Sequence, residues 1–187
     1  MRPGIALARK PRFCANRSIE IPREPHMIPD ALLADAEALL AACRANGIML
    51  ATAESCTGGL IAATLTAIAG SSDVVDRSFV AYSNEAKNEM IGVPIDLIQA
   101  HGAVSEEVAR AMAEGALARS RATIAVSVTG MAGPGGGSVE KPVGLVCFGL
   151  AKKEAQVTSE RHLLPGDRTG IRVATVTRAF SMIRTCI

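Results

Sequence analysis

The chain has 187 residues, of which 49% are hydrophobic and 20% charged, a length and composition that suit one globular domain with a sizeable core. Aromatic residues make up only 3%, with no Trp and one Tyr, so the core must be aliphatic, and the scarcity weighs against a base-stacking platform for single-stranded nucleic acid. The net charge of +2 divides into +4 over residues 1–27 and −2 over the rest, which leaves no basic patch for duplex binding in the folded part.

Residues 1–27 hold four prolines and six basic side chains and show no helical or strand period. Ile5 to Ala8 is too short for the apolar core of an export signal. This stretch is expected to be a disordered lead or an upstream extension before Met27, and the domain to run over 28–187.

Asp30 to Ala45 carries Leu32, Leu33, Leu39, Leu40 and Cys43 at helical spacing, with Asp30 as the cap and Asn46-Gly47 as the stop. Ile48 to Ala53 reads as a short buried strand, and Leu60 to Ala69 as a helix that follows Gly58-Gly59. After a turn at Gly70-Ser71-Ser72, Ser78 to Ser83 reads as a second strand. Asn84 is expected to cap a short helix through Met90, and Gly92-Val93-Pro94 breaks it. Pro94 to Ala100 is a further short helix. Ser105 caps a long helix to Ser120, with Glu106 and Glu107 where the helix dipole favours acids. Thr123 to Val128 is a β-branched central strand, and Thr129 to Gly137 a glycine-rich loop. Val143 to Ala151 and Gln156 to Leu164 form a strand pair around a charged turn at Lys152-Lys153-Glu154. Asp167 then caps a helix from Arg168 to Ile183. This alternation predicts a single-domain α/β fold, a layered α/β/α sandwich with a mixed sheet. The strand order is not legible from the pattern.

Five cysteines (Cys14, Cys43, Cys56, Cys147, Cys186) include no CxxC pair, which points to a reducing, cytoplasmic setting rather than a disulfide framework. His26, His101 and His162 have no HExxH spacing, so neither a metal nor another cofactor is expected. No apolar run reaches the ~18 residues of a membrane span.

The turn after the first strand, Glu54-Ser55-Cys56-Thr57-Gly58-Gly59, lies between a strand end and a helix start. Ligands of open α/β sheets bind there, and helix N-termini offer unpaired N–H groups that stabilise an oxyanion. Read locally, the turn supports two roles: Ser55 or Thr57 as a helix cap, the commoner use of such residues, or Ser55 as a nucleophile. Lys87 is the candidate base, since a lysine near a helix start loses basicity when buried, and Ser–Lys pairs are a known variant of the triad. Tyr82 is placed to relay or orient the proton. A solvated Lys87 and a sheet-bound Tyr82 are the plain alternative. Cys56 is a rival nucleophile without a His partner. The Gly130–Gly137 loop can form an anion nest, or be a surface loop. Arg168 and Arg172, one turn apart, can clamp a phosphate or carboxylate, or line a polar helix face.

Taken together, Ala53-Glu54-Ser55-Cys56-Thr57-Gly58-Gly59, Tyr82-Ser83-Asn84-Glu85-Ala86-Lys87, His101-Gly102-Ala103-Val104-Ser105-Glu106, Ser127-Val128-Thr129-Gly130-Met131-Ala132-Gly133-Pro134, Lys141-Pro142-Val143-Gly144 and Pro165-Gly166-Asp167-Arg168 resemble the C-terminal domain of the CinA (competence-damage-inducible) family. The resemblance covers about residues 28–185. It implies hydrolysis of the carboxamide of nicotinamide mononucleotide (NMN) to nicotinate mononucleotide and ammonia. It also implies Ser55 as nucleophile, Lys87 as base and Tyr82 as supporting partner. Backbone at Cys56, Thr57 and Gly58 would hold the oxyanion. The loop at Thr129, Gly130, Gly133 and Gly136, with Arg168, would hold the nucleotide. Longer family members carry an N-terminal domain resembling molybdopterin-binding proteins. A chain of this length has no room for it, so the associated pyrophosphatase activity is expected to be absent. The competing reading is a non-catalytic binding module of competence or DNA damage. Small α/β enzymes often form closed homo-oligomers, a dimer in the simplest case, and the apolar Val143–Leu150 strand is the expected interface.

Overall fold

A computed structural model of the chain describes residues 28–187, so the expectation for residues 1–27 lies outside the described residues. A five-stranded mixed sheet has the order β2-β1-β3-β4-β5. Its strands are β1 (Leu50–Glu54), β2 (Val75–Val80), β3 (Ile124–Gly130), β4 (Leu145–Lys152) and β5 (Thr158–Leu163). Strand β1 runs parallel to both neighbours, while β3, β4 and β5 are antiparallel in turn. The helices are α1 (Asp30–Ala45), α2 (Leu60–Thr66), α3 (Asn84–Ile91), α4 (Ile95–His101), α5 (Glu106–Ala118) and α6 (Arg168–Arg184). Among the described residues no helix is long and apolar enough to cross a membrane.

The layers follow from the period-2 alternation of the strands. Leu50, Ile124, Val126, Val128, Val146, Phe148 and Leu150 face α1, α2 and α6, joined by Leu39, Leu40, Ile61 and Phe180. Burying each such side chain stabilises the fold by about 1.5–3 kcal/mol before ordering entropy is charged against it. Ala51, Ala53 and Ala125 point the other way, toward Ile91 of α3, Ile98 of α4 and Val108 and Met112 of α5. These small residues let α5 lie close to the sheet: Ser127 Oγ donates to the Ala109 carbonyl at 2.5 Å, and a Cβ on Gly149 would collide with that same carbonyl.

Several boundaries move from their predicted places for definite reasons. Pro29, not Asp30, precedes α1, and Asp30 lies in its first turn, where an acid still favours the dipole. Ser83 rather than Asn84 caps α3, its Oγ accepting the Ala86 N–H at 3.0 Å. Strand β2 starts earlier than Ser78 because Asp76 is held by Arg121 and Arg77, and it ends at Val80, opposite the end of β1. Strand β3 runs two residues beyond Val128 because Thr129 and Gly130 pair with Cys147 and Val146. Strand β4 sits between β3 and β5 with its apolar residues in the chain's own core, so it offers no free face for an interface between copies.

The connection through α2 steps from β1 to one side, and the one through α3–α5 returns to the other. The chain therefore reverses its direction of winding between β1 and β3, where α/β sheets open a crevice. Glu54 pairs with Val80 on one side and with Val128 on the other. The segments after β1, β2 and β3 thus emerge together at one sheet edge.

Candidate active site

Ser55 is the first residue past β1, and its N–H donates to Val128 O at 3.0 Å, so β3 fixes its backbone. The Gly58 N–H donates to Ser55 O at 3.1 Å and closes a four-residue turn. Gly58 and Gly59 have φ of +58° and +92°, values that a side chain would strain, which is why two glycines stand there. The Ser55 side chain is mostly covered, with 8% of the residue exposed.

Lys87 is buried at 1% exposure, and its Nζ reaches Ser55 Oγ at 3.1 Å. The same amine donates to Ala81 O at 3.1 Å and Tyr82 O at 3.0 Å, both just past β2. A neutral amine has two N–H bonds and one lone pair. With the two carbonyls taking the N–H bonds, the lone pair is aimed at the Ser55 hydroxyl. Burial lowers the Lys87 pKa from its ordinary 10.5, against smaller raising effects of Cys56 and Glu85. The fold thus moves this lysine toward the form that accepts a proton.

Cys56 is the reverse case. Burial pushes its thiol up to about 12, with its own N–H and that of Thr57 opposing in part. A neutral, covered thiol is a poor nucleophile, and Ser55 stands ahead of it.

Neither Ser55 nor Thr57 caps α2. Glu54, with no exposed surface, accepts the N–H groups of Ile61 at 3.0 Å and Ala62 at 2.8 Å, the Thr57 hydroxyl at 2.7 Å and the Thr52 hydroxyl at 3.2 Å. Sequence reasoning missed this role. The only signal was an acid at the end of an otherwise apolar strand, seven and eight residues before the N–H groups it caps. The helix N-terminus is therefore occupied, and the Gly58 N–H is used within the turn. Among the described residues the N–H groups of Cys56, Thr57 and Gly59 have no backbone or side-chain acceptor beyond the Cys56 sulfur, and those of Cys56 and Thr57, next to Ser55 in the chain, are the candidate donors for an oxyanion.

The other predicted residues divide. Tyr82 contributes its carbonyl to Lys87, but at 61% exposure its phenol points to solvent, with no hydrogen-bond partner among the described residues. The Thr129 side chain is buried, its hydroxyl donating to Ala103 O at 2.7 Å, and Gly130 belongs to β3, where a Cβ would crowd Leu145 and Val146. Both lie at the base of the loop. Gly133 and Gly136 lie in the irregular segment and have positive φ. Among the described residues the N–H groups of Gly133, Gly135, Gly136 and Gly137 have no backbone partner, as an anion nest requires. Arg168 donates from Nη1 to Gly133 O at 2.7 Å, and Arg172 from Nε and Nη2 to Thr57 O at 3.3 and 2.6 Å. The first turns of α6, capped by Asp167, thus tie the glycine loop and the Ser55 turn together. Among the described residues no three His, Cys, Asp or Glu side chains are grouped to hold a metal ion. Among the described residues Cys43, Cys56, Cys147 and Cys186 form no disulfide with one another.

Residues 33–187 match the family model described as the CinA C-terminal domain. A CinA-like protein of Mycobacterium sp. strain JLS is 52% identical over 138 residues, which is 74% of this chain and 33% of that protein. The chain spans about a third of the length of the curated relatives it matches. Among solved structures, the competence/damage inducible protein CihA of Agrobacterium tumefaciens superposes with a TM-score of 0.82 at 48% identity, over 86% of this chain and 98% of that one. The competence damage-inducible protein A (ComA) of Klebsiella pneumoniae gives 0.78 at 35% identity, over 81% and 94%.

Proposed function

Because the chain belongs to the CinA C-terminal domain family, we propose that it is an amidohydrolase that converts NMN to nicotinate mononucleotide and ammonia through a Ser55–Lys87 pair, within a cytoplasmic pyridine-nucleotide salvage cycle. The observation that carries this reading is the 3.1 Å contact between Lys87 Nζ and Ser55 Oγ, with the amine's other two bonds fixed on Ala81 and Tyr82 carbonyls. A buried lysine with that geometry has little structural rationale, since an apolar side chain would fill the site without desolvating an amine.

The cycle is as follows. Ser55 Oγ attacks the carboxamide carbon while Lys87 takes its proton. The oxyanion lies against the Cys56 and Thr57 N–H groups. The Lys87 ammonium protonates the departing amine, which leaves as ammonia, and an acyl ester on Ser55 results. Water, deprotonated by Lys87, then cleaves the ester, releases nicotinate mononucleotide and restores the serine. One oxyanion donor is worth ~3 kcal/mol of barrier. The glycine loop and Arg168 are the proposed seat of the nucleotide, with loop N–H groups on the phosphate. The free Arg168 donors beyond its bond to Gly133 are available to the same anion. No resident cofactor is needed in this cycle, and a homodimer is the proposed assembly.

Some relatives carry names that speak of competence and damage, and the alternative is a binding module of that response without chemistry. Ammonia release from NMN separates the two. The enzyme reading expects turnover by the wild-type chain and loss of at least about 10³-fold in Ser55→Ala with the fold intact. Turnover unaffected by Ser55→Ala defeats the mechanism, and no turnover at all defeats the function.

A further inference from the structure

Glu54 is a carboxylate with no exposed surface, and among the described residues no cation lies within ion-pair distance of it. Such a charge is expensive to bury, and a Ser, Thr or Asp at the residue before α2 caps a helix at far less cost. That residue is instead Gly59, in a left-handed conformation and without a side-chain cap. Four donors surround the carboxylate, two on each oxygen: Oε1 accepts from Thr52 Oγ1 and Ala62 N, and Oε2 from Thr57 Oγ1 and Ile61 N. They come from β1, from the Ser55 turn and from α2. The carboxylate therefore pins both ends of the five-residue turn, residues 55–59, and one point in its middle. From the other side, Arg172 holds the carbonyl of the same Thr57.

We infer that Glu54 is a positioning residue for the Ser55 chemistry. Through the Thr57 hydroxyl it fixes the peptide planes whose Cys56 and Thr57 N–H groups face the oxyanion, while it occupies the α2 N-terminus so that a substrate anion does not bind there. This inference rests on the proposed nucleophilic role of Ser55.

Glu54→Gln sets an amide NH₂ against N–H donors and destabilises the turn outright, so Thr57→Val is the sharper variant. It removes one link at 2.7 Å and leaves the α2 cap in place. The Thr57 side chain is fully buried, and its hydroxyl is spent on Glu54. Three quantities are measured: kcat and KM for ammonia release from NMN, the rate of Ser55 labelling by a fluorophosphonate probe followed by intact mass, and Tm. The expected result for Thr57→Val is a fall of about tenfold or more in both kcat and labelling rate, with KM changed by less than about threefold. Thr57→Ser, which restores the hydroxyl, is expected to recover both rates to within about threefold. Wild-type rates in Thr57→Val overturn the inference, as does failure of Thr57→Ser to recover them. A wild-type chain that labels at Ser55 but releases no ammonia from NMN overturns the proposed substrate alone, and the labelling rates still decide the role of Glu54. A wild-type chain that does neither overturns both.

Discussion

Replacing Lys87 with Met keeps the length and much of the volume of the side chain and removes the amine. Ser55 Oγ then has no base at 3.1 Å, and the carbonyls of Ala81 and Tyr82 lose their donor. A positioned general base contributes about 10²–10⁴ in rate, so the barrier should rise by about 3–5 kcal/mol. Stability responds differently. Each buried carbonyl left without a donor costs about 1–3 kcal/mol, but the variant no longer desolvates an amine, and the two effects oppose. Their pH dependence has a definite sign. The native Lys87 pKa lies below the 10.5 of the unfolded chain, so between those values the unfolded state binds more protons. Stability from this group therefore rises with pH through that window and is flat below it. The gap in urea-unfolding free energy between wild type and Lys87→Met should move in favour of wild type as pH rises. Activity of wild type should rise with pH through the same native pKa, as the amine becomes neutral. The assay is ammonia release from NMN across the pH series, beside urea unfolding of both proteins. A Lys87→Met chain within tenfold of wild type, or wild-type activity that falls as pH rises toward the native pKa, refutes the reasoning.

In the native chain Cys56, pushed up to about 12 by burial, should resist iodoacetamide at pH 8, and peptide mapping should find it alkylated only after unfolding. Asp76 is held down to about 2, first by the Arg121 N–H and guanidinium and then by Arg77. Its stabilisation is present above the ordinary carboxylate range and lost as pH falls from about 4 toward 2, so Asp76→Asn should lower Tm at pH 7 and narrow the gap to wild type at pH 2, read by thermal melts. Gly115→Ala in α5 ought to gain about 1 kcal/mol by helix propensity alone. A Cβ there collides with the Ile91 carbonyl, so chemical denaturation should instead show a loss of about 1–3 kcal/mol. Dialysis against EDTA should leave ammonia release unchanged, because every step of the proposed cycle runs through protein groups and water.

The layered fold was legible because hydrophobic period and turn residues act locally: the runs at Ile124–Val128 and Leu145–Ala151 are apolar over strand length, and Ser105 and Asp167 cap where they were expected. Ser55 and Lys87 were legible as candidates only because each follows a strand end, and the family pattern joined them. Their contact depends on β1 and β2 being parallel neighbours that end in register, which no local pattern encodes. The same limit hid the role of Glu54, whose partners lie on three elements, and the partner of Arg172, which is the Thr57 carbonyl 115 residues away rather than an anion. It also leaves the local alternative of Thr57 as a helix cap, and the expected supporting role of Tyr82, without a contact that a sequence pattern could supply. The hydroxyl of the first turns inward to Glu54, and the second lends its carbonyl while its ring faces out.

The most direct test of the central claim is acid quenching of the chain during turnover of NMN, followed by mass spectrometry of the peptide that carries Ser55. The account predicts a nicotinate-mononucleotide acyl group on Ser55, absent in Ser55→Ala and absent without substrate. An acyl group on Cys56, or steady ammonia release from Ser55→Ala at the wild-type rate, would contradict it.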